Sequence, residues 1–138
     1  MNSSHLTQQA LKNFHRLLNQ IGTATAQVVS PDKPWCIIEG VHIQFEHLQW
    51  PTYHCVLITF TDQNFEIRDS ETLTYLLKLN RQVITESPLT TLFALNEAGK
   101  HLQLIQRIQI DELPVWTIDR YFKETIERLQ SMFIYTAV

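Results

Sequence analysis

Six histidines and two cysteines carry the most reactive side chains in this sequence, and a metal site is the first chemistry they suggest. His42 shares a strand parity with Gln44 and Glu46, His47 and His54 flank a loop, and Cys55 follows His54 directly. Cys36 lies in another strand-like run. The spacings argue the other way. The chain has no Cys-x-x-Cys, no His-Glu-x-x-His and no helical Glu-x-x-His, the patterns that aim several ligands at one ion. His54 and Cys55 are neighbours in an extended run, so their side chains leave opposite faces. The expectation is ordinary surface or partly buried histidines, two buried thiols acting as small hydrophobes, and neither metal nor cofactor.

Nucleophilic catalysis finds no better footing. A Gly-x-Ser-x-Gly elbow is absent. Cys55 can be paired on paper with His101 or His42, but so many Cys and His residues always permit such pairings. Gly22, Gly40 and Gly99 are the only glycines and are far apart, which excludes a glycine-rich phosphate loop. Asp111, Glu112, Asp119, Glu124 and Glu127 alternate with Arg120, Lys123 and Arg128, the pattern of a solvated helix face with i,i+4 ion pairs. An enzyme is not expected.

The elements that must position any site follow from periodicity. Leu6, Ala10, Leu11, Phe14, Leu17, Leu18 and Ile21 recur at threes and fours, one face of a helix. Ser3 or Ser4 can cap its start and Gly22 its end. Thr23 to Lys33 is a polar connection, with Pro31 and Pro34 bracketing a turn. Trp35 to Glu39 is a short strand, and Gly40 permits a tight reversal. Val41, Ile43 and Phe45 alternate with His42, Gln44 and Glu46, a half-exposed strand that Leu48 to Thr52 should break. Tyr53 to Phe60 is rich in β-branched and aromatic residues and makes a third strand, with Thr61 to Arg68 as loop or ragged end.

Asp69 or Ser70 can cap a second helix over Leu73 to Val83. The run Thr91 to Ile110 is a hairpin around Asn96-Glu97-Ala98-Gly99-Lys100, where glycine tolerates the positive φ of a tight loop. After that turn Leu102, Leu104, Ile108 and Ile110 hold one parity, broken only by Gln106. Asp111-Glu112-Leu113-Pro114 reads as a helix start, followed by a helix over Val115 to Phe133 with Ile118, Phe122, Ile126 and Leu129 on one face. The expected fold is α+β: an antiparallel sheet, a three-strand meander plus a hairpin, with three helices in the order α-β-β-β-α-β-β-α. Residues 1–138 form a single domain.

Composition bounds the function. The chain has 138 residues, 44% hydrophobic and 18% charged, ordinary for a globular domain. At this length roughly two-thirds of the unfolded surface is buried, enough for one core. A net charge of −3 and a pI of about 6.0, with scattered Lys and Arg, argue against nucleic acid. No apolar run approaches a membrane span, and no basic-then-apolar leader opens the chain. The expected compartment is therefore the cytoplasm, where a disulfide is not expected either. Trp35, Trp50, Tyr53 and Trp116 are more aromatic surface than a small core easily hides, and a contiguous patch of that kind marks a partner surface.

The element order and one local motif resemble the class I type III secretion chaperones of Gram-negative bacteria. The motif is Leu76-Leu77-Lys78-Leu79-Asn80, then Leu92-Phe93-Ala94-Leu95-Asn96-Glu97-Ala98-Gly99 and Leu102-Gln103-Leu104. Such chaperones show a helix ending in Leu-Leu-x-x-Asn, an apolar-Ala-Leu-(Asp/Asn) strand into a glycine turn, another strand and a long amphipathic helix. The resemblance runs from Leu6 to Phe133. It implies a homodimer in the bacterial cytoplasm that holds the N-terminal segment of a secreted effector extended, without ATP, with the secretion-apparatus ATPase as an optional further partner. It also implies a client over the first helix and first three strands, with Phe14, Leu18, Trp35, Ile38, Ile43 and Phe45 as candidates, although the ordinary role of any one of them is core packing. Leu76, Leu79, Ile105 and Arg107 are its implied dimer residues. Ile105 stands out because it sits on the polar parity of its strand, where an isoleucine asks for a cover. The competing readings are a chaperone-like binding domain with no secretion role and, further off, a small Cys/His metal-binding enzyme.

Overall fold

A computed structural model describes residues 3–50, 53–66, 70–86, 90–109 and 118–136. The elements are α1 (Ser3–Thr25), β1 (Trp35–Ile38), β2 (Val41–Trp50), β3 (Tyr53–Glu66), α2 (Ser70–Glu86), β4 (Thr90–Leu95), β5 (His101–Gln109) and α3 (Ile118–Thr136). The order is the one expected, and the fold is α+β. The five strands form one antiparallel sheet in the order β1-β2-β3-β5-β4, so the meander and the hairpin join through β3 and β5.

Strand parity divides the sheet into two faces. Cys36, Val41, Ile43, Phe45, Val56, Ile58, Phe60, Phe93, Leu102, Leu104 and Ile108 point inward and are buried. Phe14, Leu17, Leu18 and Ile21 of α1 and Ile118, Phe122, Ile126 and Leu129 of α3 close over them. The centre of this layer is aromatic. The Phe122 ring lies 6.0 Å from those of both Phe45 and Phe60, within the range of favourable tilted and edge-on contacts.

Gln106, the polar break in β5, is buried on that inward face and accepts a hydrogen bond from the Tyr121 hydroxyl of α3. A buried amide needs such a partner. Burial pushes the Tyr121 phenol above its ordinary pKa, against a smaller downward pull from Arg128, so the phenol stays protonated and remains a donor.

α2 runs on to Glu86 and α3 to Thr136, each past its expected end at Val83 and Phe133, and three further boundaries differ from the sequence expectation for backbone reasons. β2 is not broken at Leu48; it runs to Trp50, with Leu48 opposite Cys55 and Gln49 opposite His54. β3 does not fray at Thr61, because Thr61 and Asp62 pair with His42 and Val41 on one side. On the other side Thr61 pairs with Gln103, and a register shift then brings Glu66 opposite His101. Thr61 is thus held by two ladders and Asp62 by one, so these polar residues stay in the sheet and are buried.

The third difference is at the end of α1, which passes Gly22 and finishes at Thr25. Ala26 then takes a left-handed φ of 55°. Its N–H donates to Thr23 O, and the Gln27 N–H donates to Gly22 O at 3.1 Å, the paired bonds of a Schellman cap. Gly22 is needed for the close approach, since a Cβ there would stand 2.8 Å from the Gln27 carbonyl oxygen.

The two hairpin turns that lie among the described residues are built from positive φ. Glu39 (52°) and Gly40 (79°) join β1 to β2, the two-residue geometry that suits a twisted hairpin. Between β4 and β5, Gly99 has φ 70° and the Asn96 side-chain oxygen accepts from the Lys100 and His101 N–H groups at 3.0 and 3.1 Å. Asp69, residues 51–52 and the proposed helix start at Asp111-Glu112-Leu113-Pro114 lie outside the described residues, as do Val115, Trp116 and Ile110.

Candidate functional site

The reactive residues do not converge. Cys36 is enclosed on the inward face, where burial raises its thiol to about 11, far from the thiolate that nucleophilic or metal chemistry needs. Cys55 is buried on the opposite parity. The register sets Cys55 opposite Leu48 and Gln109, whereas His42 sits opposite Thr61 and His101 opposite Glu66. The Cys–His pairings drawn from the sequence therefore lie several residues apart along the sheet. Among the described residues no group of three His, Cys, Asp or Glu side chains is arranged to hold a metal ion.

The histidines do make one contact of their own. The rings of His47 and His54 stack 5.1 Å apart at 5°, with Nε2 of His47 3.0 Å from Nδ1 of His54. Phe14 of α1 lies 5.6 Å from the His47 ring. Burial, then the nearby His54 and His15, lower the His47 pKa. A hydrogen bond between two imidazoles requires one neutral acceptor nitrogen, so this pair joins the ends of β2 and β3 only while at least one ring is uncharged.

A different pattern appears at the two edges of the sheet. At β1, the Gln27 side chain receives the Ile37 N–H on Oε1 at 2.9 Å and donates from Nε2 to the Ile37 carbonyl at 2.6 Å. At β4, the Asn80 side chain receives the Phe93 N–H on Oδ1 at 2.6 Å and donates from Nδ2 to the Phe93 carbonyl at 2.9 Å. β1 and β4 are the outermost strands. Each amide therefore supplies the N–H and C=O that one residue of a further antiparallel strand would offer, at the place where an unpaired ladder would otherwise invite one.

The two clamps are mounted differently. Asn80 is carried by α2, which packs along β4 and sends Leu76 into the core. Its hydrogen bonds are partly buried. Gln27 belongs to the connection after α1, held by the cap at Ala26 on one side and by buried Val29 on the other. Its bonds face solvent, and Val28 beside it is 71% exposed.

The residues nominated as client-binding divide by face. Leu18, Ile43 and Phe45 are fully enclosed in the core of a single chain, and Phe14 is buried at its margin. Contact with a guest at the first three would need the core opened. Trp35 and Ile38 are partly accessible on β1. The Trp35 ring lies 5.1 Å from that of His42, tilted by 32°, with the Lys33 ammonium 4.4 Å from its centroid. Ile37, which the sequence did not single out, is 43% exposed between them.

Of the residues nominated for a dimer, Leu76 is buried and Leu79 lies in α2 with its side chain outside the described residues. Ile105 and Arg107 are half-buried on the outward sheet face. There the register lines up Leu92, Ile105, Thr59, Gln44 and Trp35 in one row across all five strands. Leu57 lies between Arg107 and Glu46 in the next row. α1 and α3 take the inward face, leaving Leu92 40% exposed beside Ile105.

Sequence reasoning missed Gln27 altogether, since an amide in a polar connection carries no periodicity. Asn80 and Asn96 were legible as letters of the resemblance motif, and their jobs are an edge clamp and a turn organiser. No protein-family model, no curated protein and no solved structure matches this chain. Among the described residues no helix is long and apolar enough to cross a membrane.

Proposed function

We propose that this protein is a polypeptide-binding chaperone of the type III secretion kind. It works as a homodimer in the bacterial cytoplasm and keeps the N-terminal segment of an effector extended without ATP. The observation that carries the reading is the outward face of the sheet. One face is sealed by two helices, while the other presents Trp35, Ile37, Leu57, Leu92 and Ile105, all partly exposed, among polar neighbours. A mixed face of this kind suits a second subunit or an extended guest, both of which supply apolar cover and backbone hydrogen bonds. Ordering a floppy guest costs conformational entropy, so a long apolar surface is required.

The test is sedimentation of the purified protein, then of its complex with a co-expressed effector N-terminal segment. The expected result is a dimer that binds one such segment and leaves it protease-sensitive outside the footprint. Ile105→Asp should shift the dimer toward monomer. A wild-type monomer that captures no effector segment would overturn the proposal.

A further inference from the structure

We propose that His47 and His54 form an acid-operated latch on the first half of α1: while one ring is uncharged they bind each other and seat Phe14, and when both are charged they part and release the helix ahead of Leu17. The latch does not depend on what the protein binds. Both rings take the inward parity of β2 and β3, past Phe45 and Val56, where the core reaches the rim of the sheet. Nε2 of His47 stands 3.0 Å from Nδ1 of His54, room for one shared hydrogen. A neutral pair holds that hydrogen, and so does a pair with a single charge. Two charged rings place a hydrogen on each facing nitrogen, and the rings must rotate apart. Protonation therefore changes the geometry as well as the charge.

What the pair supports is Phe14, whose buried ring lies 5.6 Å from that of His47. After Phe14, α1 is rooted in the core by Leu17, Leu18 and Ile21. Before it, only Ala10 is buried among the described side chains; Leu11 is 38% exposed, and Gln8, Gln9 and Lys12 face solvent. The first half of the helix thus rests on the seat that His47 provides.

Among the described residues no carboxylate is placed to offset the charges. Burial, then His54 and His15, lower the His47 pKa, and His15 is carried by α1 itself, next to Phe14. α3 faces inward with Ile118, Phe122, Ile126 and Leu129, while its Asp119, Glu124 and Glu127 are exposed. β1 brings Cys36 to this layer and β5 brings Ile108. On β2, Glu46 takes the outward parity, and Gln49 is the polar residue opposite His54. Asp62 is buried on the inward parity but sits opposite Val41, about 20 Å along the strand from His47. Because the closed form lowers the His47 pKa, the latch is shut above the ordinary histidine range and opens as pH falls through the lowered value.

The experiment is residue-resolved amide exchange of the full chain at about pH 7.5 and about pH 5, straddling the ordinary histidine range, expressed as protection factors, with an NMR titration of the His47 ring alongside. The expected result is an acid loss of protection at Leu11, Lys12 and Phe14 of about tenfold for each unit by which closing lowers the His47 pKa. Leu18, Ile21 and the α3 amides keep theirs. His54→Gln and His47→Gln, read separately, each abolish the loss, because a neutral amide replaces one charged ring; His15→Gln reduces it. The same acid loss in both latch variants as in wild type would overturn the proposal. So would a loss spread evenly over α1, α3 and the sheet, or unchanged protection at Leu11 and Phe14 while His47 titrates.

Discussion

The two outer strands of this sheet solve one problem with the same chemical group and opposite mechanics. Ile37 on β1 and Phe93 on β4 each give their outward N–H and C=O to a single side-chain amide. At β4 the amide is short, partly buried and carried by a helix rooted in the core. At β1 it is longer, wet and carried by a connection. Since a hydrogen bond exchanged with water contributes little net while one left unmade in a buried place costs much more, the same pair of bonds should be structural at β4 and nearly dispensable at β1.

The largest effect should come from Asn80→Ala. It leaves a partly buried N–H and C=O of Phe93 unpaired, and the expected loss is about 2–4 kcal/mol of unfolding free energy, read by urea denaturation. A loss near zero would break the comparison. Gln27→Ala should cost only about 0.5–1.5 kcal/mol, while amide exchange at Ile37 speeds up and that at Phe93 does not. Ala26→Gly sharpens the point from the other direction. It relieves a non-glycine residue at φ 55° and should raise stability by about 1 kcal/mol without weakening protection at Ile37.

The smallest effect expected is on pH. Neither amide titrates, so acid loosens the molecule without touching either clamp. His47 has its pKa lowered by burial, then by His54 and His15, and burial lowers that of His42. A folded-state pKa below the unfolded value means that the unfolded chain takes up protons first. Stability is therefore full above about pH 6.5 and falls as pH drops through the lowered folded values. His47→Gln should flatten that acid limb in melts taken between about pH 7 and pH 5. An unchanged limb would remove His47 from the account.

Alternation carried much of this architecture into the sequence. β5 reads directly, with Leu102, Leu104 and Ile108 inward and Ile105 and Arg107 outward, and the turns before β2 and β5 announce themselves through Gly40 and Gly99. Gln106 looked like a flaw in that pattern and is instead an inward polar residue with Tyr121 as its partner, a match made across chain segments that no local window contains. Thr61 and Asp62 were lost for a related reason. Polarity marked them as loop, whereas the ladder to β2 keeps both in the sheet and Thr61 pairs with Gln103 of β5 as well.

The candidate site was less legible than the fold. Apolar residues near strand edges were nominated, but periodicity cannot separate a core isoleucine from a surface one when both follow the same parity. Ile43 and Ile37 differ in which face they take, and only the pairing with β2 assigns it. Gln27 acts over ten residues of separation through two bonds, and nothing in its own neighbourhood advertises them.

Residue-resolved amide exchange in wild type, Gln27→Ala and Asn80→Ala tests the asymmetry of the two edges most directly. Gln27→Ala should speed exchange at Ile37 and leave the core amides of β3 and β5 unchanged, whereas Asn80→Ala should speed exchange at Phe93 and across those core strands together. Core exchange accelerated equally by both substitutions would contradict that asymmetry.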